Sequence, residues 1–122
     1  MTSSLPRLTW TPQAESDLVE IYVLIGLERP AVAERYYDRL RDKARILRDY
    51  PRLGTRRPDI GPGARIMVEH PYLLVYRIHP DDEDAQVAEV EFIRVIDGRR
   101  ELGPVVKLHL IRRLGIRKSV EA

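Results

Sequence analysis

Apolar and polar residues alternate from Leu5 to Trp10, a period of two that predicts a short first strand. Thr11-Pro12 then marks a helix start. The threonine hydroxyl can accept a bond from a first-turn N–H, and the fixed φ of proline suits the first helical position. Behind it Ala14, Leu18, Ile21, Tyr22 and Ile25 recur at i, i+4, i+7, i+8 and i+11, one face of a helix. Glu15 and Asp17 fall in its first turns, where the helix dipole favours acids, and Gly26 is a natural stop. Pro30 opens a second helix whose apolar stripe is Ala33, Tyr37, Leu40, Ala44 and Leu47, with Arg, Asp, Glu and Lys on the other faces. Asp49-Tyr50-Pro51 closes it. The short connection predicts an antiparallel helical hairpin.

From Arg52 to Gly63 the chain reads as loop, because Gly54, Pro58, Gly61, Pro62 and Gly63 oppose regular structure. Three strands follow. Arg65 to His70 alternates weakly, and Tyr72 to His79 is nearly continuous apolar, as a central strand should be. Pro80 to Asp84 is an acidic hairpin connection. Val87 to Ile96 places Val90, Phe92 and Ile96 on one face, and Asp97-Gly98 signals a turn. The order β-α-α-β-β-β defines an α+β fold, a helical hairpin packed on a small antiparallel sheet. In this order the last strand can pair beside the central one. Residues 1–103 form the domain. Residues 104–122 form a C-terminal extension in which Val105, Val106, Leu108, Leu110, Ile111 and Leu114 fit neither period, so strand, helix and extended arm all stay open.

A length of 122 residues agrees with one domain, and the lack of cysteine excludes disulfides and thiolate metal sites. The first residues lack the basic-then-apolar run of a signal peptide, and apolar runs such as 72–76 are far shorter than the roughly 20 residues of a membrane span. A cytoplasmic protein without membrane contact is expected. The net charge of +2 conceals blocks. Residues 15–28 carry four acids and no base; 29–65 carry eleven bases and five acids; 81–91 carry six acids and no base; 94–118 carry eight bases and two acids. Such blocks are either solvated surfaces or a basic face for an acidic partner.

Conventional catalytic groupings find no support. His70, His79 and His109 have no second ligand at metal-binding spacing, and Ser3, Ser4, Ser16 and Ser119 are terminal or helical. No phosphate-binding glycine loop precedes a helix. The arginines stand out instead: Arg52, Arg56, Arg57 and Arg65 follow the second helix, and Arg94, Arg99 and Arg100 follow the last strand's centre. Pairing of the strands would bring both groups toward one sheet surface. Arginine's forked donor suits carboxylate or phosphate, although solvated strand-end arginines would give the same pattern.

Taken together, the motifs resemble a known family. Leu8-Thr9-Trp10-Thr11-Pro12 with Ala14, Asp17, Leu18 and Ile21 is similar to its opening strand and A-x-x-D-L-x-x-I helix. Ala33 to Leu47 followed by Tyr50-Pro51-Arg52-Leu53-Gly54 resembles its second helix and closing P-x-x-G. Arg65 with Tyr72 to Arg77, and Phe92 to Glu101, resemble its R…Y-x-I-x-Y and I-x-R-V-x-H-x-x-R-D segments. These are marks of the RelE/ParE superfamily of bacterial type II toxins, in its ParE branch, over residues 6–102.

The resemblance implies a toxin that poisons DNA gyrase by binding, with no cofactor or metal. It also implies neutralisation by a ParD-type antitoxin in a toxin–antitoxin hetero-oligomer. The alternatives it leaves are a RelE-like ribosome-dependent mRNA endonuclease and a non-toxic antitoxin-binding relic. Against the endonuclease, Val68 stands where a catalytic arginine is expected, and no tyrosine follows Tyr76. The implied target contacts are Arg65, Arg94, Arg99 and Arg100. The implied antitoxin contacts are Leu18, Tyr22, Tyr36, Arg52, Arg56 and Arg57, with an acidic, apolar antitoxin segment meeting the basic blocks and the helical-hairpin groove. Trp10, Ile21, Ala33, Tyr37, Leu40, Tyr72, Tyr76 and Phe92 are expected in the core, as, structurally, is Leu18. Two departures stand out: Asp97 where the family often has His, and the extension from Pro104.

Overall fold

A computed structural model describes residues 5–99. The elements are β1 (Arg7–Trp10), α1 (Pro12–Gly26), α2 (Pro30–Asp49), β2 (Thr55–Arg56), β3 (Arg65–Glu69), β4 (Tyr72–His79) and β5 (Glu89–Asp97). Thr11 caps α1 as its sequence demands, its Oγ1 accepting from Ala14 N at 3.1 Å, and proline opens both helices. The expected extension of 104–122 lies outside the described residues.

The sheet order is β1-β5-β4-β3-β2, with β4 and β5 adjacent as expected. The sheet is mixed, however, rather than antiparallel throughout. Strands β3, β4 and β5 pair antiparallel through short connections, whereas β1 runs parallel to β5 from Arg7 opposite Glu89 to Trp10 opposite Phe92. Parallel pairing needs a long connection, and the helical hairpin with three further strands supplies it. The segment 52–63 is also not wholly loop. Thr55 and Arg56 pair with Ile66 and Arg65, because Arg65 reaches over to bind the carbonyls just before them.

Both helices pack on one sheet face. Ala14, Leu18, Leu40, Ala44 and Leu47 meet Leu74, Tyr76, Ile78, Val90, Phe92 and Val95, and Trp10 stacks on Phe92 at 4.3 Å between centroids. The opposite face is covered by Ile60 and Ala64 of the 57–64 loop, packed with Ile66, Val75, Ile93 and Ile96. β4 is thus buried on both sides, which explains its nearly unbroken apolar run. Ile96 does not share a face with Val90 and Phe92. The register slips at Val75/Tyr76, so that Arg94 faces Val75 while Phe92 faces Tyr76. That bulge inserts Ile93 and resets the alternation, placing Phe92 and Val95 toward the helices and Ile93 and Ile96 away. Among the described residues no helix is long and apolar enough to cross a membrane.

Candidate functional site: the helical hairpin groove and the arginines around the sheet

β1 ends at Trp10, so the second half of β5 has a free edge. Helix α1 closes it. Asp17, 4% exposed, accepts from Val95 N at 2.8 Å and from Arg94 Nε and Nη2 at 2.8 and 3.2 Å, with Gln13 Nε2 at 3.2 Å. From sequence, Asp17 is expected at the helix dipole and in the A-x-x-D-L-x-x-I motif, and its partner Arg94 in target contact. The structure turns Arg94 inward to satisfy a buried carboxylate instead.

Arg65 is likewise removed from the surface. It is 5% exposed, and its Nη1 donates to the carbonyls of Arg52 and Gly54 at 3.1 and 3.2 Å; its Nε has no partner among the described residues. Beside it the Tyr76 hydroxyl donates to Pro51 O at 2.9 Å and accepts from Gly54 N at 2.8 Å. Burial raises the Tyr76 phenol above its ordinary pKa of 10.0, with the Gly54 N–H and the Arg65 charge opposing. Its stabilising contribution is therefore constant below about pH 10 and falls as the pH climbs past that value. A neutral, doubly bonded phenol is a poor candidate for a general base.

The remaining arginines are exposed but locally held. Arg52 donates to Asp82 O and Ala85 O at 2.7 and 2.8 Å, clamping the acidic hairpin to the end of α2. Arg56 meets Asp81 at 3.6 Å, Arg57 grips Asp59 through two 2.8 Å bonds, and Arg99 grips Asp97 at 2.7 and 3.0 Å. Asp97, the family departure, thereby orients Arg99. Arg100 lies outside the described residues. The single arginine-lined sheet surface expected from sequence is not assembled: Arg65 is buried, the part-buried Arg94 is turned onto Asp17, and the others described point to separate neighbours.

A different surface is present on the helices. Val19, Val23 and Leu24 along α1 and Leu27 just past its end are 50–78% exposed, and Tyr22 is 40% exposed. Between α1 and α2 runs a groove of about 420 Å³ lined by Val19, Tyr22, Glu34, Tyr37 and Asp38, with Tyr22 and Tyr37 edge-to-face at 5.8 Å. Of the residues implied for antitoxin contact, Tyr22 lines this groove. Tyr36 is half-buried edge-to-face against Tyr72 at 5.6 Å, and Leu18 is core, 1% exposed. The charged lining of the groove is acidic, so it does not itself match an acidic partner segment.

Sequence reasoning missed Val19, Val23 and Leu24. For Val23 and Leu24 the signal was there: Ile21 to Ile25 is an unbroken apolar run on a helix, and one helix cannot turn five successive side chains to one sheet. Among the described residues, no group of three or more His, Cys, Asp or Glu side chains is placed to hold a metal ion.

A helical hairpin laid on a mixed sheet, with apolar side chains exposed on the outer face of α1, defines a small two-layer α+β domain. The chain belongs to the ParE toxin family of type II toxin–antitoxin systems, parDE, whose family model matches residues 8–102. It is similar to toxin ParE3 of Caulobacter vibrioides, 32% identical over 71 residues, which are 58% of this chain and 64% of that relative. The chain thus spans just under two thirds of that relative's length. Its fold is similar to a chain of a chromosomal ParDE toxin–antitoxin system from P. aeruginosa, with TM-score 0.61 and 23% identity over 78% of this chain and 98% of the other.

Proposed function

We propose that this ParE-family toxin arrests growth by binding DNA gyrase, and that a cognate ParD-type antitoxin neutralises it by covering the outer face of α1. The observation that carries the binding reading is the run of solvent-exposed Val19, Val23 and Leu24, with Leu27 just beyond, on a helix whose other face is buried in the core. Exposed apolar side chains in such a row mark an interaction surface. RNA cleavage would instead need a free base and free cations around a phosphorane. Arg65, Arg94 and Tyr76 are engaged within the fold, which supports binding over cleavage.

Expression alone is expected to arrest growth and induce the DNA-damage response, with co-expression of the cognate antitoxin restoring growth. Rapid loss of translated mRNA without DNA damage would support the endonuclease reading instead, and harmless expression of folded protein the relic. Val19→Asp with Val23→Asp is expected to weaken antitoxin binding by at least about 100-fold, roughly 2.7 kcal/mol, measured by calorimetry. The melting temperature should stay nearly unchanged, since both side chains are at least half exposed.

Gyrase contact is assigned to Arg99 and Arg100, where β5 ends. Arg99→Ala with Arg100→Ala is expected to reduce toxicity while leaving antitoxin binding intact and stability within about 0.5 kcal/mol. Loss of folding in that variant would mean that these arginines are structural.

A further inference from the structure

Exposed acids are common on this domain, at Asp49 and from Asp82 to Asp84 among others, so exposure alone does not single out Glu34 and Asp38. Their surroundings do. The two carboxylates line the groove between α1 and α2 together with Val19, Tyr22 and Tyr37, and among the described residues no lysine or arginine belongs to that lining. One turn apart on α2, they lie side by side on one helix face, close enough to share a single cation. The apolar face of α1 beside the groove adds no positive charge either, since residues 15–28 carry four acids and no base. An acidic partner segment would meet like charge here and is disfavoured.

The domain already shows how such walls hold a guanidinium. Arg41, one turn beyond Tyr37 on α2, lies over the rings of Trp10 and Tyr37, its Cζ 5.0 and 5.3 Å from their centroids. It donates to the Tyr37 hydroxyl at 2.9 Å and meets Glu15 at 3.8 Å. Aromatic ring, hydroxyl and carboxylate together suit a planar cation on an aliphatic stem. The groove offers the same set of groups. Tyr22 and Tyr37 stand edge-to-face at 5.8 Å, Glu34 and Asp38 supply the carboxylates, and Val19 supplies an apolar wall.

We propose that the antitoxin segment covering α1 carries a basic side chain, an arginine by the pattern of Arg41, and that this side chain enters the groove. Its stem runs along Val19 and Tyr22 and its head lies between Glu34 and Asp38, while apolar side chains of the same segment cover Val23 and Leu24. A cation desolvated against two carboxylates inside an apolar interface is an anchor, and it fixes the register in which the antitoxin settles. The inference rests on the reading that the antitoxin covers the outer face of α1, and it adds the chemistry of the segment that does so.

Calorimetry with the full chain and its cognate antitoxin tests this. Glu34→Gln with Asp38→Asn removes both charges and keeps the side-chain shapes. Binding is expected to weaken at least about ten-fold, with the melting temperature of the free chain unchanged because both residues are exposed. Glu83→Gln with Asp84→Asn removes two charges from the acidic hairpin instead and should leave the affinity within about two-fold. Val23→Ala with Leu24→Ala trims the apolar face without altering charge and should also weaken binding. Unchanged or tighter binding by the Glu34→Gln, Asp38→Asn chain would overturn the inference. An equal loss in the hairpin variant would overturn it too, reducing the effect to net charge. If trimming Val23 and Leu24 weakens binding while neutralising the groove does not, the antitoxin covers α1 without a cationic anchor and only this inference falls. If neither change weakens binding, the antitoxin binds elsewhere and the reading beneath the inference falls with it.

Discussion

Asp17→Ala is expected to destabilise the domain by roughly 3–5 kcal/mol, the cost of breaking a buried ion pair by removing one partner. Asp17 is 4% exposed, and its carboxylate accepts four hydrogen bonds from three residues. Its loss strands Arg94, whose side chain is only 18% exposed, and leaves the N–H of Val95 without its acceptor at the free edge of β5. Denaturant unfolding of Asp17→Ala, Arg94→Ala and the double variant checks this. If the pair acts as a unit, the double variant loses clearly less than the sum of the singles, by an interaction energy of about 1–3 kcal/mol. Additive losses would show that Asp17 works through the β5 edge alone. The outcome also bears on function. Lost toxicity in Arg94→Ala should follow lost stability rather than lost target contact.

Gly54→Ala is expected to cost about 3 kcal/mol, combining overpacking with the loss of buried hydrogen bonds. A β-carbon at Gly54 would lie 2.7 Å from Tyr76 Cε1 and 2.9 Å from the Ile66 carbonyl oxygen. Neither obstacle can yield. Tyr76 is fully buried, and Ile66 O belongs to the β3 backbone. The loop would have to lift away, and with it would go the Gly54 N–H to Tyr76 bond and the Gly54 carbonyl that holds Arg65. Gly26→Ala serves as the control. There the added carbon meets Ala33 Cβ at 3.6 Å, an ordinary contact, and stability should change by less than about 1 kcal/mol. Thermal unfolding of the two variants side by side distinguishes a close backbone approach from a general intolerance of methyl groups.

The contrast between these two glycines shows what the sequence could and could not convey. Gly26 read as a helix stop, and α1 does end with it, although Gly26 keeps a helical conformation and Leu27 forms the C-cap. Gly54 read as loop punctuation, yet its role is to let Tyr76 and Ile66 approach the backbone, a demand set by residues more than ten positions away. The elements were legible for a related reason. Helix caps, prolines and apolar periods are local, and both helices begin at the prolines that announced them. The parallel pairing of β1 and the bulge at Ile93 were not legible, because each depends on contacts made across the sheet.

The candidate site was harder still. Residue type flagged every arginine equally. Burial separates them, since Arg65 and Arg94 face carbonyls and Asp17 while Arg99 remains at the surface. Of the expected α1 stripe Ala14, Leu18, Ile21, Tyr22 and Ile25, all but Tyr22, which is 40% exposed, pack into the core. Val19 and Val23 were passed over because an apolar residue off that stripe has meaning only when the helix is seen to leave it in solvent.

The central claim is that this toxin acts by binding gyrase. The most direct measurement is plasmid supercoiling by purified gyrase with the purified full chain added at increasing ratio. Supercoiling should fall and cleaved DNA accumulate, and added cognate antitoxin should reverse both. Undisturbed supercoiling by a preparation that still arrests growth in cells would contradict the account.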